Sequence, residues 1–417
     1  MSIVRPFRGL HPTPRYVVQI ASPPYDVLNV REARDMAHGN PFSFLRVNKS
    51  ELEFDDGVNP YSPEVYQRAF QNLQRFRHDG VMVQDSRPCF YIYRLTMNGR
   101  PQTGLVALTS VAEYDKGLIK KHEHTRPEKV NDRANHILHV KAQVGPVFSA
   151  FRSNERIERI FEKVTAGPAC LDFVAHDGIR HELWLVGDKP GIQSLVDGFA
   201  GLEALYIADG HHRSESASEV ARRCREKNPS HTGNESYNFF LNVIFPDHHL
   251  SIMPYNRVVR DLNGTSVSEL LSKASEKFTV SKQSAPVEPK QPHQFGLYAD
   301  GQWYLLAARP GTWDTQHPIH SIDSAILSDN FLAPHLGIVN LRTDKRIDFV
   351  GGIRGSAELV RLVDSGDFKI AFSLYPTTIN QLLTVADAGE VMPPKSTWFE
   401  PKLRDGMVVH LLENITV

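Results

Sequence analysis

A short apolar run, Leu205-Tyr206-Ile207-Ala208, passes without a spacer into Asp209-Gly210-His211-His212-Arg213 and then into a helix-forming stretch from Ser214 to about Lys227. A buried strand feeding a helix through a single glycine leaves few ways to fold, because the turn must be tight and the polar residues must gather at the start of the helix. The alternation of strand and helix recurs along the chain. Helices are predicted over Ser62 to Arg77, from the end of the polar segment Lys120 to Arg133 to about Gln143, over Asn154 to Val164 and over Pro190 to Phe199. Strands are predicted over Tyr16 to Ile20, Val147 to Phe151 and Phe239 to Phe245. Asn98-Gly99 joins Cys89 to Met97 and Thr103 to Glu113 into a hairpin, and Leu171 to Val186 reads as a second one. Beyond these come a hairpin over Gln294 to Ala307, helices near Ser321 to Asn330, Ser356 to Leu362 and Thr378 to Ala386, and a strand at Lys369 to Leu374. The pattern predicts a mixed α/β, α+β fold. The segment Ser281 to His293, with Pro286, Pro289 and Pro292, reads as a linker or surface loop. It would divide an N-terminal α/β region, 1–280, from a C-terminal one, 294–417.

Lys and Arg number 47 against 48 Asp and Glu. That balance argues against a general nucleic-acid or membrane-surface binder, which recruits its polyanion through a basic excess. Cys89, Cys170 and Cys224 are far apart with no CxxC pair, which excludes a disulfide scaffold or a cysteine-rich zinc site and suits a reducing compartment. No segment approaches the ~20 apolar residues needed to span a bilayer, so a cytoplasmic protein is expected, with a homo-oligomer left open.

Three motifs carry chemistry. In Asp209 to Arg213, Gly210 permits a sharp turn and the N–H groups and dipole of the following helix suit an anion. Arg213 and one of His211 and His212 would add charge-assisted bonds to phosphate oxygens, and Asp209 would hold a cation or orient a nucleophile. A plain turn, with imidazoles capping the helix and Asp209 paired to Arg213, is the alternative. The second motif is His122-Glu123-His124-Thr125-Arg126-Pro127, continuing to Asp132-Arg133. It lacks HExxH spacing, and its mixture of His, Glu and Arg fits a phosphorylated substrate with Mg²⁺ better than a closed zinc site; a solvated charged loop remains open. The third is Met392-Pro393-Pro394-Lys395-Ser396-Thr397-Trp398-Phe399-Glu400-Pro401-Lys402, where prolines preset a turn and Lys395, Ser396, Thr397 and Lys402 offer anion donors, Lys395 and Ser396 being the favoured pair. Arg8 with Tyr25-Asp26 forms a fourth, weaker set, in which Arg8 and Asp26 would simply pair, and Asp247-His248-His249 reads as a polar turn.

With SPPYDV near the N-terminus, HEHTRPEKVNDR, ADGHHR and MPPKSTWFEPK in order, the chain resembles the bacterial and archaeal family catalogued as domain of unknown function 1015 over essentially its whole length. The ADGHHR loop also resembles the phosphate-binding loop of the ParB/sulfiredoxin-like fold, whose members include the free-serine kinases. The resemblance implies a ParB/sulfiredoxin-like core with large insertions and additional C-terminal α/β elements, serine metabolism as the setting, and Asp209 to Arg213 on phosphates.

Together these readings give a phosphotransferase acting on free L-serine or O-phosphoserine, with a nucleotide or inorganic phosphate species as phosphoryl partner and Mg²⁺ as helper. Asp209, Glu123, His211 and His212 are the expected catalytic residues, with Asp209 and Glu123 sharing the roles of base and metal ligand. Gly210, Arg213, His122, His124, Arg126, Arg133, Lys395, Ser396, Arg8, Tyr25 and Asp26 are the expected phosphate and substrate contacts. The alternatives are a phosphoserine phosphatase-type hydrolase, a ParB-like nucleotide-binding regulator without turnover, and a zinc hydrolase built on His122, His124, His211 and His212.

Overall fold

The computed structural model describes residues 3–412 and 415. The chain divides into two compact units, Met1–Leu250 with Pro401–Val417, and Ser251–Glu400. The boundary differs from the one expected at 281–293. That proline-rich segment lies inside the second unit, where Val287 is buried and its carbonyl accepts a hydrogen bond from the Ser373 hydroxyl. Prolines mark it as irregular backbone; they do not make it a hinge.

The first unit is built on a nine-stranded mixed sheet. Its spatial order is Ile119–Lys120, Leu205–Asp209, Val147–Phe151, Phe239–Pro246, Arg100–Ser110, Phe90–Met97, Arg180–Val186 and Leu171–Val174, with Val4–Arg5 beside Arg100–Ser110. Two neighbouring pairs are parallel, Ile119–Lys120 with Leu205–Asp209 and Val147–Phe151 with Phe239–Pro246; the rest are antiparallel. The hairpin Phe90–Met97 to Arg100–Ser110 turns on Asn98 at φ 52° and Gly99 at φ 76°, the two successive positive values that a type I′ turn requires. Phe151, Leu205, Ile207 and Ile244 on the sheet pack with Ile157, Phe199 and Val220 from its helices, each such side chain contributing about 1.5–3 kcal/mol of burial.

Sequence and structure differ locally in three places that bear on the site. Tyr16 to Ile20 is not a strand: Val17–Ile20 is a single helical turn that buries Val17 and Ile20, three positions apart, and leaves Val18 62% exposed. The helix expected to follow Arg133 begins earlier, with Pro127 at its first position, and stops at Val140 where Lys141 turns left-handed at φ 55°. The helix expected from Ser214 spans His211–Lys227, because Gly210 takes φ 90° and its carbonyl already accepts from Arg213 and Ser214. His211, His212 and Arg213 therefore lie in the first helical turn.

The second unit holds a six-stranded, wholly antiparallel sheet in the order Phe278–Gln283, Gln302–Ala308, Gln294–Ala299, Ile370–Leu374, Tyr255–Val259 and Ile347–Gly351. Phe295, Leu297 and Phe372 on it pack with Leu270, Ile326 and Phe331 from its helices. Among the described residues, no helix is long and apolar enough to cross a membrane.

Candidate functional site

Four stretches distant in sequence meet around the N-terminal end of His211–Lys227, all within the first unit. The first N–H groups of a helix lack intrahelical acceptors and carry the positive end of its dipole. Gly210 is what lets the strand Leu205–Asp209 turn directly into that end: at φ 90°, a Cβ there would sit 3.4 Å from Val147 Cα and 3.5 Å from Arg213 Cδ.

Asp209, the last residue of the strand, accepts from Gly210 N at 2.8 Å through Oδ1 and from Lys402 Nζ at 2.8 Å through Oδ2. Burial alone would raise its pKa, but Lys402 and Arg213 outweigh that and hold the carboxyl well below the usual range. Asp209 is thus ionised, a poor base, and already bound to an ammonium. A hard divalent cation needs several oxygen ligands, and an ion on Asp209 would meet Lys402. The expected assignment of Asp209 as a Mg²⁺ ligand does not fit this donor set, which leaves Glu123 as the open carboxylate.

The HEHTRP loop is held to the helix through its backbone. His122 N approaches His211 Nε2 at 3.5 Å and Arg126 N donates to His212 Nε2 at 3.1 Å. Each imidazole nitrogen that accepts is unprotonated, so both rings are neutral in this arrangement. Burial also pushes His211 down to about 4, and His122, whose ring meets His211 edge-on at 4.5 Å, to about 3. Nε2 of both rings thus faces a backbone N–H of the loop, so the bond to a phosphate oxygen expected from one of the two histidines would have to come from an Nδ1–H. Glu123 Oε2 lies 3.9 Å from His211 Nδ1 with its side chain 36% exposed, open to a ligand. His124 and Arg126 point into solvent as exposed side chains.

Arg213 reaches back to the N-terminal loop. It donates to Pro146 O at 2.7 Å and to Asp26 Oδ1 at 3.1 Å, and burial works against its charge but is outweighed by Asp26, Asp405, Tyr25 and Asp209. The Tyr25 ring sits between two guanidiniums, 4.3 Å from Arg133 and 5.5 Å from Arg213. Arg133 is anchored on Asp132 at 2.8 Å. The loop bearing Tyr25 is fixed by reciprocal backbone bonds between Ser22 and Asp405, at 3.1 and 2.9 Å.

Other expected residues lie elsewhere. Asp26 pairs with Arg213 and not with Arg8, whose Nε donates to Asp85 O at 3.0 Å. The MPPKSTWFEPK motif straddles the boundary between the units. Lys395 and Ser396 belong to the second, where Lys395 faces the Tyr255 ring at 5.6 Å and the Ser396 hydroxyl is buried between Ser324 and Pro393 O; Lys402 belongs to the first. Among the described residues, the one group of three or more His, Cys, Asp or Glu side chains close enough to share an ion is Glu158, His248 and His249, so the zinc reading on His122, His124, His211 and His212 is not supported by the geometry. Sequence reasoning passed over Asn48 and Asp405, which bond to each other at 2.6 Å beside Arg213 and Arg133. Nothing in the sequence marks Asn48, while Asp405-Gly406, just past a singled-out motif, was a legible turn signal.

A mixed α+β chain with a strand–glycine–helix passage, ringed by His, Glu, Lys and Arg, is the class defined so far. The chain belongs to the family described as protein of unknown function DUF1015, whose model matches residues 4–325. No curated protein matches the sequence. Among solved structures, it is similar to a conserved hypothetical protein from Pyrococcus furiosus, with 13% identity over 73% of this chain and 95% of that one and a TM-score of 0.36. A free serine kinase in complex with AMP matches at 12% identity over 75% and 93% of the two chains, with a TM-score of 0.38. SbnI with a C-terminal truncation, from Staphylococcus aureus, matches at 11% identity over 72% and 85%, also with a TM-score of 0.38.

Proposed function

We propose that this protein is a phosphotransferase that moves a phosphoryl group between the hydroxyl of free L-serine and a nucleotide or inorganic phosphate species. The observation that carries the reading is the meeting of Glu123, Lys402, Arg213 and the loop of Tyr25 at one helix start, although these residues are scattered from the N-terminal loop to the last stretch of the chain. Phosphoryl transfer asks for positioned donors, neutralisation of oxygen charge and a base, and the cluster offers each. The N–H groups of the first turn and the Arg213 guanidinium would hold phosphate oxygens. The Glu123 carboxylate would take the proton of the serine hydroxyl as its oxygen attacks the terminal phosphorus and the leaving oxygen departs with the bonding electrons. Asp209 and Lys402 would fix the strand end from which the loop springs. Serine as acceptor rests on the resemblance of the ADGHHR loop to free-serine kinases. Three free cysteines suit action in a reducing compartment.

Phosphorus NMR of the purified chain with Mg²⁺ in the buffer tests this reading, offering L-serine or O-phosphoserine with ATP, ADP, pyrophosphate or phosphate. Exchange of signal between phosphoserine and a partner resonance, lost in Glu123→Gln, supports it. Release of free phosphate alone would mark a hydrolase, with water in the acceptor position, and unchanged spectra in every pairing would overturn both.

A further inference from the structure

Inside the first unit lies a cavity of about 40 Å³ whose wall includes Tyr25, Asn48, Arg133, Gly145, Arg213 and Asp405. At about 10–15 Å³ for each water-sized group, it takes a few heavy atoms. Three of its residues carry a buried polar atom with no hydrogen-bond partner: Asn48 Oδ1, Asp405 Oδ1 and Arg213 Nε. Asn48 and Asp405 are 2% and 0% exposed. Buried donors and acceptors are nearly always satisfied, and leaving several unmade at one spot is costly. Position 145 adds to the impression of a cradle, since a Cβ there would lie 3.0 Å from Asp405 Oδ1.

The charges around the cavity do not cancel. Arg133 is paired with Asp132 and Arg213 with Asp26. Nearby, Lys402 is paired with Asp209 and Arg404 with Asp177. His136, on the wall, uses Nε2 on Val47 O at 2.9 Å and is kept neutral by burial, which pushes it down to about 3. Asp405 is left as a buried carboxylate whose one bonded oxygen takes only the Asn48 amide. Arg213 and Arg133 attract it from nearby, but among the described residues no guanidinium hydrogen-bonds it and Oδ1 has no donor at all. A buried carboxylate oxygen left without a donor is retained where a ligand supplies one.

We propose that this cavity seats the α-ammonium of an amino-acid substrate, donating to Asp405 Oδ1 and Asn48 Oδ1, with the substrate's carboxylate turned to Arg213 Nε. Two acceptors and one donor, unpaired within one small space, match the zwitterion of an α-amino acid and no simple anion. The inference rests on the phosphotransferase reading for the choice of serine as the amino acid; the demand for an ammonium comes from the cavity itself.

Calorimetric titration of the full chain with L-serine and with 3-hydroxypropanoate, which keeps the hydroxyl and carboxylate but lacks the ammonium, tests it. Serine binds and 3-hydroxypropanoate binds at least tenfold more weakly if the cavity reads the ammonium. In Asp405→Asn, serine affinity falls at least tenfold while the melting temperature holds or rises, because an unpaired buried charge has been removed; a merely structural Asp405 would give the opposite pair of results. Should that variant not fold, the comparison of the two ligands on the unmodified chain still decides. Equal binding of both, no binding of serine, or unchanged serine affinity in Asp405→Asn means that the cavity holds ordered water only and overturns the proposal. Ammonium-dependent binding without any phosphoryl exchange would sink the phosphotransferase reading and leave the pocket standing. Equal phosphorylation of serine and 3-hydroxypropanoate would do the reverse.

Discussion

Lys402 and Asp209, 193 positions apart in the sequence, meet through a 2.8 Å contact between Nζ and Oδ2 at the point where strand becomes helix. This pair ties the last stretch of the first unit to the turn that opens His211–Lys227. Replacing Lys402 by Met leaves a partly desolvated carboxylate without its ammonium. Fully buried pairs cost about 3–5 kcal/mol to break in this way, but the Asp209 side chain is 38% exposed, so solvent screening brings the expected loss to about 1–2 kcal/mol. The pair's contribution is present above the ordinary Asp range and fades as pH falls below about 4, since the folded carboxyl titrates lower than the unfolded one. Urea titrations at pH 7 and pH 3 should therefore show a smaller difference between Lys402→Met and the parent at the second pH than at the first, part of it surviving because the folded carboxyl is still ionised there.

Glu123 is a half-buried carboxylate at the helix start, 3.9 Å from His211 Nδ1 and, among the described residues, in no ion pair with a lysine or arginine. Glu123→Gln keeps shape and removes the base, so kcat should fall about 10²–10⁴-fold with KM for serine within about threefold and the melting temperature unchanged. Equal losses in kcat and in stability would assign Glu123 a structural part instead.

Gly210 holds φ 90° with Val147 and Arg213 close by. Gly210→Ala should lower stability by about 1–2 kcal/mol, the cost of a left-handed backbone for an L-residue, and displace the first turn. Phosphate or nucleotide affinity, measured by calorimetry, should drop as well; full affinity in a destabilised Gly210→Ala would separate the helix start from anion binding.

Asp405 gives the opposite pH sign to Asp209. Burial raises it to about 6, against the pull of Arg213, Asn48 and Arg133 and with help from Asp26. The folded state then binds a proton more tightly than the unfolded state, and stability is lost as pH rises from about 4 to 6. That shift of about two pH units is worth on the order of 3 kcal/mol. Asp405→Asn should abolish this decline, so thermal melts of variant and parent should diverge in favour of the variant as pH rises from about 4 to 6 and stay apart above it.

What the sequence made legible was local. The strand Leu205–Asp209, the glycine turn and the helix behind it follow from neighbouring residues, as does the Asn98-Gly99 hairpin, because turn chemistry acts within a few positions. Val17–Ile20 was misread because its β-branched residues favour a strand in isolation, while its contacts set a helical spacing. The candidate site was half legible for a different reason. His122 to Arg126 and Asp209 to Arg213 stand out by composition, but which partners they meet depends on where the chain returns. Lys395 and Lys402, seven positions apart in one motif, end in different units, and proximity in sequence gave no hint of it. Asn48 is an ordinary polar residue until Asp405 is set against it by the Ser22 to Asp405 backbone bridge.

The second unit is entered and left at one point. Ile252–Met253 runs antiparallel to Trp398–Phe399, and Glu400 N donates to Ser251 O at 3.2 Å. A ribosome therefore delivers the whole of Ser251–Glu400 before Lys402 and Asp405 exist to be used. During synthesis the nascent helix start at His211 waits without its ammonium, and the cavity without its carboxylate. The insertion acts as a delay line: a chain released early, at any point before Pro401, carries the helix start of a site that it cannot finish.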